Sequence, residues 1–149
     1  MSHTYSKIIL HAVFSTKEHR PLILDAWCDR LYRYMSGTLH EQGAQLIRAG
    51  GVADHVHLLI EAKQTHAPAD LLRVVKANSS KFLHDERICP AFAWQTGYGI
   101  FSVSRSQQSA VVDYIENQAE HHRKRTFQEE FLAILQRHDI EYDERYIWD

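Results

Sequence analysis

Two histidines one residue apart, His55 and His57, sit in the apolar run GVADHVHLLIEA, residues 51–62. In an extended strand, residues i and i+2 project from one face. The run therefore presents two imidazoles side by side, with Val56 on the opposite face. Two adjacent imidazoles grip one divalent metal ion when a third ligand arrives from elsewhere. The chain holds 11 histidines, so a lone His-x-His pair is an ordinary coincidence. Two histidines satisfied by strand neighbours or solvent would look the same. Against that reading, two polar rings amid VHLLI are costly to bury without partners.

A second set lies in VVDYIENQAEHHRKR, residues 111–125. Tyr114 and Gln118 are four residues apart and share a helix face. His121 and Arg125 continue the stripe, while Val111 and Ile115 can anchor the helix to a sheet. Alone, this is equally an interfacial tyrosine beside a surface glutamine. Combined with the histidines it has chemical logic. His55, His57 and the neutral Gln118 carbonyl would bind Mg²⁺ or Mn²⁺ without cancelling its charge, leaving coordination for an anionic substrate. A phosphodiester fits. A tyrosine hydroxyl, with an ordinary pKa near 10, needs such help to attack phosphorus. The resulting phosphotyrosine ester keeps the phosphoryl group activated, so that a free 3′-hydroxyl can displace the tyrosine and rejoin a strand.

Other residues suit binding. Arg73, Lys76 and Ser80 fall at i, i+3 and i+7 of one helix, with Lys81 adjacent: a phosphate-contacting face, or a solvated one. Arg123 and Arg125, in HHRKR, either contact a DNA backbone or complement the helix dipole. Trp94, Tyr98 and Phe101 could stack on bases but suit a core equally. His11 reads as a core histidine or as a support for metal ligands.

These residues need a scaffold, and its elements are legible. Residues 6–16 are rich in β-branched and aromatic types and read as a strand. Apolar spacings of three and four from Leu24 to about His40 predict a helix that Gly43 ends. AQLIRAGGV and DHVHLLIEA are two strands, with Gly50, Gly51 and Asp54 between them as a hairpin or bulge. Pro68 opens a second helix. Residues 94–104 form a fourth strand, a third helix runs from about Ser106 through His122, and Thr126 with Glu129 signals a capping box for another. The order β-α-β-β-α-β-α gives an α+β, ferredoxin-like (RRM-like, split βαβ) antiparallel sheet, with helices on one face plus a C-terminal catalytic helix.

The bulk properties set bounds. A chain of 149 residues suits one domain, residues 1–149. The net charge of −2 carries no global signature of nucleic-acid binding, so any such surface is local. Two distant cysteines, Cys28 and Cys89, form no metal or redox motif and suit a reducing compartment. With neither a signal peptide nor a membrane-length apolar run, a cytoplasmic location is expected.

The series HAVFSTKEHRPLI, GVADHVHLLIEA, LLRVVKANSSKFLH, WQTGYGIFSVSRS and YIENQAEHHRKRTFQEEF resembles the single-tyrosine HUH transposases of bacterial insertion sequences and the related REP-associated tyrosine transposases. The resemblance covers most of the chain. It implies Tyr114 as nucleophile and His55, His57 and Gln118 as metal ligands. It further implies cleavage of single-stranded DNA with the 5′ end kept on the tyrosine, recognition of hairpins near element ends, and a homodimer in which one subunit's tyrosine helix can complete the other's site. Two rivals remain at the level of residues: a non-catalytic, domesticated nucleic-acid-binding module on a ferredoxin-like sheet, and a small metal hydrolase using a water nucleophile.

Overall fold

In the computed structural model, which describes residues 3–149, the apolar runs around His11 and His57 become the two central strands. They are β1 (Ile8–Ser15) and β3 (His55–Ala62). Both are buried nearly end to end, the pattern of strands covered on both faces. The edges are β2 (Gln45–Val52) and β4 (Gly99–Val103), giving an antiparallel sheet of order β2-β3-β1-β4. That is the ferredoxin-like order the element sequence predicts.

Two helices cover the first face: α1 (Cys28–Glu41) and α2 (Pro68–Asp85). Pro68 stands in the first turn of α2, where its missing N–H costs nothing. Leu31, Met35 and Leu39 of α1 and Leu71, Leu72, Val75 and Leu83 of α2 pack on Phe14, Val56, Leu58 and Ile60. The C-terminal third covers the second face. It comprises α3 (Gln108–Glu116), the single turn α4 (Gln118–His121) and α5 (Phe127–Arg137). Ile115 packs on Ile9 and Leu59, while Phe127, Phe131, Ile134 and Leu135 pack on Val13 and Phe101. Thr126 and Glu129 make the expected capping box: each side chain accepts the other's backbone N–H at 3.2 Å.

The structure refines three boundaries. The fourth strand begins at Gly99, and Trp94 keeps only an isolated bridge to Thr16. The helix expected from Ser106 to His122 breaks at Asn117, whose φ/ψ of −101/25 ends α3 and starts α4. Gly50 and Gly51 lie inside β2, paired with His57 and Val56, and the hairpin turns at Ala53 and Asp54. Gly50 is where α3 reaches the sheet. A Cβ there would lie 2.6 Å from the Ile115 carbonyl oxygen and 2.8 Å from Ile115 Cγ2. Gly50→Ala is therefore expected to destabilise the protein by about 1–3 kcal/mol through forced displacement of α3. Thermal melts beside Gly37→Ala, where an added Cβ meets nothing within 4 Å, check this.

Candidate active site and metal centre

The strand register puts His55 and His57 on the second face, each fully buried. Each ring is tethered through Nδ1. His55 Nδ1–H donates to Asp54 Oδ1 in the hairpin turn at 2.8 Å. His57 Nδ1 lies 2.8 Å from His11 Nε2, across the diagonal between β3 and β1. Both rings thus turn Nε2 toward the same point. An outer carboxylate or imidazole on the far nitrogen is the usual device for fixing a metal-ligating histidine.

At that point sits Glu130 of α5, also fully buried. Its Oε1 is 3.2 Å from both His55 Nε2 and His57 Nε2, and 3.0 Å from His122 Nε2. Its Oε2 accepts from the Tyr114 hydroxyl and, at 3.0 Å, from Gln118 Nε2–H. Gln118 Oε1 accepts from His55 Nε2–H at 3.0 Å. One carboxylate therefore divides its oxygens between an imidazole side and a tyrosine side.

The electrostatics follow from burial and this carboxylate. Burial alone would lower His55, but its hydrogen bonds to Asp54 and Glu130 override it and hold the imidazole up at about 9. Burial would raise Glu130; hydrogen bonds from His122, His55 and His57 keep it far below the usual carboxylate range. His57 goes down through burial, and burial with the neighbouring His57 takes His11 to about 3. Burial first, then Glu130, pushes Tyr114 up to about 12. Without metal, the centre is an imidazolium–carboxylate pair holding a neutral tyrosine hydroxyl.

This predicts how stability of the metal-free protein varies with pH. His55 is raised in the fold, so its contribution is complete below the unfolded value near 6.5 and is lost as pH climbs through about 9. His11 is depressed, so its contribution is present above 6.5 and lost as pH falls toward about 3. The two limbs cross near neutrality. A melting temperature that peaks near pH 6.5–7 and loses several degrees by pH 9 is expected, the alkaline limb being on the order of 2–3 kcal/mol. Differential scanning fluorimetry with chelator across pH 5–9.5 checks it; a curve rising steadily to pH 9 would contradict the pairing.

The donor set fits a metal ion. His55, His122 and Glu130 offer ligand atoms within 4.8 Å of one another, and His57 Nε2 faces the same carboxylate oxygen. The structure brings together Tyr114, His55, His57 and Gln118. Gln118 bridges His55 to Glu130 through both ends of its amide.

The basic residues divide. Arg73, Lys76, Ser80 and Lys81 ride on α2, across the sheet from this centre. Arg73 pairs with Asp70 and Lys81 with Asp85. Lys76 turns inward: Nζ donates to the carbonyls of Gln95, Thr96 and Gly97 at 2.7–3.0 Å, and burial lowers it to about 8. Lys76 thereby staples the approach to β4. Arg123 pairs with Glu120 at 3.0 Å, and Arg125 reaches the Tyr114 hydroxyl. Both line an open cleft of about 700 Å³ with Asp54 and His122.

Glu130 and His122 escape the sequence argument. Glu130 falls three after Phe127 and four before Ile134, on the buried stripe of α5. A carboxylate on an apolar stripe was the available signal. His122 is hidden in the basic run HHRKR.

The family described as "Transposase IS200 like" matches residues 4–118. The ISDra2 transposase TnpA of Deinococcus radiodurans is 24% identical over 114 residues, covering 72% of this chain and 81% of that protein. A Deinococcus radiodurans R1 crystal structure assigned as a transposase superposes with a TM-score of 0.64 at 22% identity, covering 79% of this chain and 95% of that one. A REP-associated tyrosine transposase, solved bound to a REP hairpin, gives 0.61 at 13% identity over 82% of this chain and 73% of that one. The two superpositions establish a shared fold.

Proposed function

The chain belongs to the IS200-like transposase family, and from that premise we propose that it cleaves and rejoins single-stranded DNA through a covalent 5′-phosphotyrosine intermediate formed by Tyr114. The observation that carries this reading is the shared carboxylate. Glu130 joins the Tyr114 hydroxyl to the histidine cluster within one chain. These groups lie together within one chain, and the homodimer is what the resemblance implies.

In the reaction, the Tyr114 oxygen bonds to phosphorus as the P–O3′ bond breaks. The 3′-oxygen departs and takes up a proton, and the 5′-phosphate stays on the tyrosine. Attack by a 3′-hydroxyl reverses the step and frees Tyr114. Glu130 Oε2 aims the hydroxyl, while Asp54 and His11 hold the two strand histidines in place. His55, His57, His122 and Glu130, with the Gln118 amide oxygen, would hold a divalent ion, which would supply positive charge to polarise the phosphate. Three imidazoles and one carboxylate suit Mn²⁺ better than Mg²⁺.

The substrate proposed is a single strand carrying hairpins near element ends, met in the cytoplasm. The test mixes protein, Mn²⁺ and single-stranded DNA from the flanks of its own gene, and looks for an adduct that survives a denaturing gel. An adduct that chelator abolishes is the expected result. Cleavage without adduct would indicate a hydrolase. Tight hairpin binding with no cleavage would indicate a binding module.

A further inference from the structure

Beside Tyr114, on the side away from the basic run, lies a second cleft of about 410 Å³. Its floor is apolar: Phe101 and Val103 of β4, Val111 of α3 and Ile134 of α5. Its rim is polar, with Ser102, Ser104 and Gln107 on one side and Arg137 and His138 on the other. Tyr114 and His11 form the end nearest the Glu130 cluster. We infer that this cleft holds the nucleotide whose 5′-phosphate becomes joined to Tyr114, the one immediately 3′ of the cut. The inference rests on the strand-transfer reading and adds to it the place and polarity of the substrate.

Position comes first. When the P–O3′ bond breaks, the upstream strand leaves, and the downstream nucleotide remains attached through the tyrosine oxygen. That nucleotide must lie against Tyr114, and Tyr114 stands in the wall of this cleft. The opposite cleft is lined by Asp54, His122 and residues 123–125 and does not include Tyr114. It suits the upstream strand.

Size and chemistry agree. A volume near 410 Å³ is at the small end of ligand sites, roughly 300–1,000 Å³. It takes one nucleotide and excludes a duplex. The His138 ring is exposed and lies against Phe101, centroids 4.6 Å apart at 31°, extending the apolar floor into a stacking surface for a base. Nδ1–H of His138 donates to the Ile134 carbonyl, which fixes the ring. Arg137, like Arg20, Arg33, Arg87 and Arg105, makes no side-chain hydrogen bond or ion pair among the described residues; of these, Arg105 and Arg137 flank this region and Arg137 lines the cleft. An uncommitted guanidinium at the mouth of an apolar cleft suits a phosphate. Finally, Ile134, Arg137 and His138 lie beyond residue 118, where the family match ends. This wall therefore lies outside the segment that the family match covers.

The test is an NMR titration of isotopically labelled protein with each of the four deoxynucleoside 5′-monophosphates, beside the corresponding 3′-monophosphates. Expected are saturable amide shifts at Ser102, Val103, Val111, Arg137 and His138, stronger for the 5′ isomers. Arg137→Ala should weaken them about tenfold. Ala110→Trp, which fills the cleft from an exposed position on α3, should abolish them. No shifts with any nucleotide up to roughly 10 mM, an affinity too weak to position a substrate, would overturn the inference. So would shifts confined to residues 122–127, or equal binding by both variants. Failure of the two readings is distinguishable. An adduct with a silent cleft sinks the inference alone; a cleft that binds with no adduct sinks strand transfer and, with it, the assignment of the bound nucleotide as the one joined to Tyr114.

Discussion

Tyr114→Phe removes the covalent DNA adduct and lowers cleavage by at least ~10³-fold, while leaving fold and hairpin affinity nearly unchanged. The substitution deletes one oxygen. That oxygen is the atom proposed to bond phosphorus, and no neighbouring group replaces it. The structural cost is small. Glu130 Oε2 loses one donor but keeps the Gln118 amide, and Oε1 keeps its imidazoles. About 1 kcal/mol of stability is at stake. The ring still lies against His121, with centroids 4.7 Å apart, so the face of α3 is preserved. Gel assays for adduct and cleavage, with a melt and a hairpin titration, separate the outcomes. An adduct that persists would place the nucleophile elsewhere. Cleavage that persists without adduct would hand the attack to water, as in the hydrolase reading.

The parts of this site legible in the sequence share a property: each belongs to an element whose period is visible locally. The two-residue period of β3 puts His55 and His57 on one face, whatever the sheet's order. The four-residue spacing of Tyr114 and Gln118 survives although the helix breaks between them at Asn117, because α4 resumes at once. Pro68 and the Thr126–Glu129 pair mark helix starts through local hydrogen-bonding rules, and both hold. The β-α-β-β-α-β order carries the sheet topology because such connections have few solutions.

What was not legible depends on contacts distant in the chain. Glu130 meets His57 across 73 residues; its place on the apolar stripe of α5 sets it apart from Glu129, which caps the same helix in solvent, but does not say which groups it meets. The inward turn of Lys76 depends on three carbonyls about 20 residues away. In sequence it reads as the middle of a basic stripe with Arg73 and Lys81. Gly50 shows the same limit. Its pattern announced a hairpin, whereas its cause is the approach of Ile115 from another element.

Glu130→Gln discriminates between the two candidate ligand sets. By the sequence argument, Gln118 is the third ligand after His55 and His57, so Gln118→Ala should be the damaging change and Glu130→Gln a mild one. We expect the reverse order. Glu130 is the one anionic donor among the buried groups of the centre, and its Oε1 faces three imidazoles. Glutamine keeps the shape but loses the charge, and it turns an N–H₂ toward either the imidazoles or the Tyr114 and Gln118 donors. Metal affinity is expected to fall ~100-fold or more, beyond the 10–100-fold typical of losing an outer-shell partner. The metal-free protein should lose about 1–3 kcal/mol, because the buried imidazoles lose their shared charged acceptor while Asp54 keeps its bond to His55. A further signature follows: the alkaline fall in melting temperature becomes shallower in Glu130→Gln, since one of the groups that raise His55 is gone while Asp54 stays. Gln118→Ala removes one acceptor from His55 and one donor to Glu130 while leaving the charge pair intact, so a loss of ~10-fold in metal affinity is expected. Mn²⁺ titration calorimetry on both variants decides. A larger loss in Gln118→Ala than in Glu130→Gln would restore Gln118 as the principal ligand and reduce Glu130 to a structural partner of the metal-free state.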